Sequence, residues 1–164
     1  MPRIVLETLV AAPIERVFDL ARSIDLHLAS AAATSERAVA GVTTGLIGPG
    51  ETVTWRARHL GLWHELTARI TAYARPTHFR DEMVRGPFRR MVHDHHFEAR
   101  DGGTHMRDVF DFASPFGPLG AVVDRLYLTR YLGAFLAARQ AAIRAAAESA
   151  AWRRVLPADA QGGP

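Results

Sequence analysis

The chain has 164 residues, of which 48% are apolar and 23% charged, and its formal net charge is +3. This length suits one domain with one buried core, and the composition excludes a disordered or fibrous chain. There is no cysteine and all 20 basic residues are Arg, so disulfides, thiolate chemistry and lysine Schiff bases are excluded.

The sequence also indicates the cellular compartment of the protein and whether it binds membranes or nucleic acids. The N-terminal segment reaches Pro13 and Glu15 before any apolar run long enough for a signal sequence, and no later stretch has about 18 uncharged apolar residues. We therefore expect a cytoplasmic protein without membrane insertion. The Arg residues form no stripe interleaved with aromatic residues, so we expect no nucleic-acid binding.

The first third of the chain predicts one strand and two short helices. Residues Arg3–Val10 are rich in β-branched and aliphatic side chains, which predicts a strand. Pro13 suits the first turn of a helix, and Ile14, Val17 and Phe18 follow it at helical spacing. A second small helix is expected within residues 23–33.

From Thr34 the hydrophobic pattern has a period of two for about 80 residues. Turn signals interrupt it, among them Gly48-Pro49-Gly50, Gly86-Pro87 and Asp101-Gly102-Gly103. This pattern predicts six antiparallel strands connected by hairpins.

The C-terminal part predicts one long helix. Residues 119 to about 148 lack Pro and are rich in Ala, Leu and Arg. Their apolar positions define one broad face, namely 119, 122, 123, 126, 132, 135, 136 and 143. We expect a single domain over residues 1–150 and a flexible tail over 151–164.

This order of elements, α+β with seven strands and a long last helix, resembles the START-like (SRPBCC) superfamily with its helix-grip fold. The opening IVLETLVAAPIERVFDLARSIDLH and the late GGTHMRDVFDF and SPFGPLG are similar to that superfamily's entry and closing segments. The chain looks most like the bacterial polyketide cyclase/dehydrase-like branch. The resemblance implies a seven-stranded antiparallel sheet wrapped around the C-terminal helix, with two short helices between strands 1 and 2.

Alternation along each strand predicts which side chains face the interior, because one face of the sheet must be buried. The inward set is Val53, Trp55, Ala57, His59, Leu62, His64, Leu66, Ala68, Ile70, Phe79, Asp81, Met83, Arg85, Met91, His93, His95, Phe97, Met106, Asp108, Phe110 and Phe112. The opposite parity predicts a solvent face of Arg56, Arg58, Glu65, Arg69, Arg80, Glu82, Asp94, Arg107 and Asp111.

Hairpin registers bring four polar residues of the inward set together. A loop at 100–103 pairs His95 with Asp108 and Phe97 with Met106, and a loop at 86–88 pairs Asp81 with His93 and Met83 with Met91. The sequence thus predicts a row of Asp81, His93, His95 and Asp108 within an apolar lining. Four interpretations stay open: a self-satisfied polar network, anchors for a ligand, a general acid/base pair, or a divalent metal site.

The main hypothesis is that the domain binds a small hydrophobic molecule, polyketide-, isoprenoid- or lipid-like, without a tightly held cofactor or metal, as a monomer or homodimer. The candidate ligand-binding residues are Trp55, His59, Leu66, Phe79, Asp81, Met83, Arg85, Met91, His93, His95, Met106, Asp108 and Phe110. One alternative is a cyclase or dehydratase in which His93 or His95 acts as general base beside Asp81 or Asp108. The other is a regulatory module acting on a protein partner.

Overall fold

The computed structural model describes residues 1–59, 61–115, 117, 120 and 123–161. Seven strands and four α-helices make up most of this part of the chain. The strands are β1 Arg3–Val10, β2 Arg37–Gly41, β3 Thr52–His59, β4 Leu62–Ala74, β5 His78–Arg85, β6 Arg90–Arg100 and β7 Gly103–Ala113. The α-helices are α1 Ile14–Ala21, α2 Ile24–Ser30, α3 Thr129–Ala147 and α4 Trp152–Val155.

The seven strands form one antiparallel sheet in the order β1-β7-β6-β5-β4-β3-β2. This sheet, the two short helices after β1 and the long helix α3 confirm the predicted fold class. The predicted pairs His95–Asp108, Phe97–Met106 and Asp81–His93 are all formed. The β5–β6 ladder ends at Glu82 and Val92, so Met83 and Met91 lie beyond its last pair.

Phe18 of α1 is the centre of the main hydrophobic core. It is fully buried, and its ring makes edge contacts with Tyr73, Phe79 and Phe97 at 5.3–5.4 Å between ring centroids. Helix α3 packs on α1, α2 and β1. The helices therefore cover the part of the inner face of the sheet around Phe18 with apolar contacts. They do not pack in this way on the rest of that face.

The face predicted for the long helix is only partly correct. From Leu132 onward the predicted apolar residues are buried or half-buried, but Val123 and Leu126 are 50% and 71% exposed. A π-helical turn, Asp124–Leu128, precedes α3, and its wider turn breaks the helical periodicity. Leu119 and Val122 of the predicted face lie outside the described residues.

The sequence predicts a flexible tail over 151–164, but the residues just after α3 pack against the domain. Leu156 is 3% exposed and joins the main core, and Trp152 packs against the same core. The Arg16 guanidinium lies 4.2 Å from the centre of the Trp152 ring. The first part of the predicted tail is thus packed against the domain.

Simple alternation fails at several positions of the sheet, and three of them show why. Leu62 has inward parity but is 66% exposed, because it lies at the β3–β4 turn. A bulge between Ile70 and Ala72 changes the parity of β4, which brings Tyr73 against the core. Asp94, predicted to face solvent, is buried by Arg80, which donates two hydrogen bonds to its carboxylate.

Among the described residues, no helix combines the length and hydropathy needed to cross a bilayer.

Candidate ligand-binding site

A cavity of about 510 Å³ lies between the inner face of the sheet and helix α3. The sheet contributes mainly β3–β7 side chains, and the helical segment contributes a row that includes Gly120 and Val123 and continues through the π-helical turn into α3. The lining is predominantly apolar and aromatic, including Trp55, Ala57, Leu66, Phe88, Met91, Phe110, Tyr127, Leu128, Tyr131, Leu132, Phe135 and Leu136.

His95 lies at the centre of the predicted polar row. Its Nε2 is 3.0 Å from Asp81 Oδ1, and its Nδ1 is 2.8 Å from Asp108 Oδ1. The ring is 2% exposed and stacks between His93 and Phe79, at centroid distances of 3.8 and 4.1 Å. Both imidazole nitrogens and both ring faces are therefore occupied by protein groups.

The row continues from Asp108 into the helix. Gln140 Nε2 donates to Asp108 Oδ2 at 2.8 Å, and Gln140 Oε1 accepts from Thr8 Oγ1 at 2.7 Å. All these side chains are buried or half-buried. The network thus connects β5, β6, β7, β1 and α3. Its end at Gln140 and Thr8 is enclosed by the protein.

The other end of the row faces the cavity. Asp81 and His93 both line it, whereas His95 and Asp108 do not. The Asp81 side chain is 21% exposed, compared with 4% for Asp108. His93 Nε2 is 3.6 Å from Asp108 Oδ1, and neither of these two atoms has a partner in hydrogen-bond geometry among the described residues.

The two histidines of the row differ in charge. Burial lowers the pKa of His95, but the charges and hydrogen bonds of Asp108 and Asp81 outweigh burial, so that the pKa is raised. Burial, reinforced by the neighbouring His95, lowers the pKa of His93. Burial would raise the pKa values of Asp108 and Asp81, yet the imidazoles keep both below their usual range. The two carboxylates thus favour the cationic form of His95, and burial favours the neutral form of the neighbouring His93.

A second polar group lines the cavity on the side of α2. His27 Nε2 is 3.2 Å from Glu36 Oε1, and the His27 ring stacks on Trp55 at 4.1 Å between centroids. The side chains of His27 and Glu36 are only 8% and 7% exposed. Burial, followed by the charge of Arg139, lowers the pKa of His27 despite the opposing effect of Glu36.

His59 connects the sheet to α3 at the cavity. Its Nδ1 is 2.8 Å from the hydroxyl of Tyr131, and the neighbouring His64 also lines the cavity. Burial lowers the pKa of His59. A neutral His59 either accepts a hydrogen bond from the Tyr131 hydroxyl or donates one to it. This hydrogen bond therefore joins β3 to α3 without a charge on the imidazole.

The predicted ligand-binding residues divide into two groups. Those that line the large cavity are Trp55, His59, Leu66, Asp81, Met91, His93 and Phe110. Those that do not are Phe79, Met83, Arg85, His95, Met106 and Asp108. Phe79 and Met106 belong to the core around Phe18, Met83 packs on the cluster that contains Met91, and Arg85 is exposed at the end of β5.

Sequence reasoning missed the contributions of His27, Glu36 and Arg139. Alternation marks the inner face of a strand, but it gives no information on which helical side chains reach the same space. The available signal was His27, which lies between Leu26 and Leu28 in α2.

Two groups of side chains have donor atoms within 4.8 Å of one another, as a metal site requires: Asp81, His93 and His95 inside, and His78, Asp94 and His96 on the outer face. In the inner group both nitrogens of the cationic His95 contact carboxylates. In the outer group Arg80 donates hydrogen bonds to both oxygens of the Asp94 carboxylate. Neither arrangement fits a metal without displacing an existing ion pair.

The sheet order, the long helix and the two short helices after β1 together define a START-like, helix-grip domain. The sequence profile described as "Polyketide cyclase / dehydrase and lipid transport" matches residues 1–148. The chain therefore belongs to this family. No curated protein matches the sequence significantly.

Solved structures support the same fold. A protein from Thermus thermophilus has a TM-score of 0.69 and 19% identity, covering 88% of this chain and 99% of its own. A START superfamily protein from Mycobacterium smegmatis has a TM-score of 0.67 and 11% identity, covering 89% and 97%. The major latex-like protein 151 of Panax ginseng has a TM-score of 0.65 and 16% identity, covering 89% and 97%.

Proposed function

We propose that this protein binds a small hydrophobic molecule non-covalently in the cavity between the sheet and α3. The observation that carries the proposal is the cavity itself, whose volume of about 510 Å³ falls within the range of small-molecule sites, roughly 300–1,000 Å³. Its lining is apolar, with few polar groups. That composition suits a ligand of polyketide, isoprenoid or lipid type.

Asp81 and His93 are the proposed polar anchors. They end the polar network on the cavity side, and the rest of that network holds them in place through His95 and Asp108. An ionised Asp81 accepts hydrogen bonds, and a neutral His93 donates or accepts one. A ligand with a hydroxyl or carbonyl group is therefore oriented at this end.

The test is a fluorescence titration with N-phenyl-1-naphthylamine, a neutral apolar probe. Ala57 is buried and lines the cavity, so Ala57→Phe fills part of the binding volume. The matched control is Ala99→Phe, at an exposed position of β6. We expect saturable binding by the wild-type protein and by Ala99→Phe, and at least about tenfold weaker binding by Ala57→Phe. Equal binding by all three proteins would exclude the cavity as the site.

The second candidate function is acid/base catalysis in a cyclase or dehydratase. The position of Asp81 and His93 on the cavity favours it, since a catalytic group must reach its substrate. The enclosed His95 is then a positioning residue rather than the base. Turnover of a candidate substrate that is lost in Asp81→Asn and His93→Gln, while N-phenyl-1-naphthylamine still binds, would establish this function. Turnover retained in both variants would reject it.

We further propose that residues 1–150, together with the packed residues Trp152 and Leu156, act as a single cytoplasmic domain, as a monomer or homodimer, with no nucleic-acid partner. Size-exclusion chromatography with light scattering tests the oligomeric state. A tetramer or larger assembly would contradict this part of the proposal.

A further inference from the structure

The His27–Glu36 pair is a buried polar group with unused hydrogen-bonding capacity. Glu36 Oε2 and His27 Nδ1 have no hydrogen-bond partner among the described residues, and both atoms are shielded from bulk water. Apart from His27, no described cation lies within ion-pair distance of Glu36. A buried polar atom without a partner costs free energy, and the cost is greater when the group is charged.

Both unpaired atoms are hydrogen-bond acceptors. Burial and Arg139 lower the pKa of His27, so the imidazole is neutral near pH 7. Its Nε2 then carries the proton and donates to Glu36 Oε1, which leaves Nδ1 as a bare acceptor. Glu36 Oε2 is a carboxylate oxygen. The group that completes this pair must therefore be a donor, either a hydroxyl or an amino group.

There is room for such a group beside His27, and Glu36 lines the adjoining large cavity. A smaller void of about 40 Å³ shares His27, Trp55, Asp81 and Arg139 with the large cavity. This volume holds a hydroxyl or amino substituent but no ring. Arg139 donates to the carbonyl of Ala21 at 2.7 Å, which keeps its guanidinium beside this space. The apolar body of a ligand would remain in the large cavity.

We propose that His27 and Glu36 form a second polar subsite, which selects apolar ligands whose ring system carries a hydroxyl or amino donor. This inference rests on the proposed ligand-binding function and adds a requirement to it. The subsite lies on the α2 side of the cavity, apart from the anchors Asp81 and His93. The ligand class is thus an apolar ring compound with a donor group, rather than a pure hydrocarbon or an ether.

The experiment compares two probes with the same ring system: 2-naphthol, which carries a hydroxyl donor, and 2-methoxynaphthalene, in which a methyl group replaces the donor hydrogen. Each is measured by displacement of N-phenyl-1-naphthylamine from the full chain. The wild-type protein should prefer 2-naphthol by about tenfold or more, the size expected for a hydrogen bond to a charged acceptor. In Glu36→Gln and His27→Phe this preference should fall below about threefold, with binding of 2-methoxynaphthalene unchanged. Glu65→Gln, on the exposed face of β4, is the matched control and should retain the full preference.

The outcomes separate this subsite from the general proposal. If N-phenyl-1-naphthylamine itself does not bind, the proposed function fails. If both naphthalene probes bind the wild-type protein equally, the subsite is rejected although the cavity is a binding site. If Asp81→Asn removes the preference and Glu36→Gln keeps it, the donor is recognised at the other anchor and the inference is wrong. If Glu36→Gln weakens both probes equally, Glu36 has only a structural role, which also overturns it.

Discussion

His95 Nε2 lies 3.0 Å from Asp81 Oδ1, and this contact joins the closed half of the polar network to the half that faces the cavity. On one side of it, His95 forms an ion pair with Asp108, and hydrogen bonds link Asp108 to Gln140 and Gln140 to Thr8 away from the cavity. On the other side, Asp81 is accessible to a ligand. The network is therefore both a support for the sheet and the base of the proposed binding surface.

The first prediction concerns the charges of the two histidines. The pKa of His95 is raised and that of His93 is lowered relative to the usual value of about 6.5. In an NMR titration of the imidazole nitrogens, His95 should lose its proton above pH 6.5, and His93 should gain one only below it. The reverse order of the two midpoints would contradict the assignment of the cation to His95.

The second prediction concerns stability. Replacing His95 with Asn leaves Asp81 and Asp108 without the cation between them, which should lower the free energy of unfolding at pH 6 by about 3–5 kcal/mol. Because its pKa is raised on folding, His95 contributes stability that is full below about pH 6.5 and is lost as pH rises through the folded value.

The difference between His95→Asn and the wild-type protein, measured by urea unfolding, should therefore shrink from pH 6 to pH 9. His105→Asn, at a partly exposed position of β7, is the control and should change stability little. A difference for His95→Asn that does not vary with pH would show that its charge does not stabilise the fold.

The third prediction concerns the closed end of the network. Thr8→Val removes the donor to Gln140, and Gln140→Leu removes the partner of both Thr8 and Asp108. Each single change should cost about 1–3 kcal/mol, because a buried polar atom is left without a partner. The double variant should cost less than the sum, with a coupling of about 0.5–3 kcal/mol in a double-mutant cycle. Strict additivity would mean that the two side chains do not interact.

Much of the sheet could be predicted because the period of a strand is two and a hairpin turn sets its register. His95 faces Asp108, and Asp81 faces His93, as the loops at 100–103 and 86–88 require. The same reasoning placed Trp55, His59 and Phe110 on the cavity side. Local sequence alone was sufficient for these residues, since alternation carries the register set at each turn along the whole strand.

The remaining parts of the site depend on contacts between distant elements. How α3 is rotated above the sheet determines that Gln140 meets Asp108 and that Arg139 lines the cavity, and periodicity does not supply this rotation. Likewise, Glu36 reaches His27 because α2 packs beside β2. Phe79 and Met106 have the predicted inward orientation, yet α1 covers them, so they belong to the core.

The most direct test of ligand binding in the cavity is the position of a bound probe. Isotope-filtered NOEs between unlabelled N-phenyl-1-naphthylamine and the ¹³C-labelled protein report contacts between the two. We predict NOEs to Trp55, Leu132 and Phe135, which line the cavity from β3 and from α3. NOEs confined to exposed apolar side chains such as Trp63 and Leu126 would contradict the proposed site.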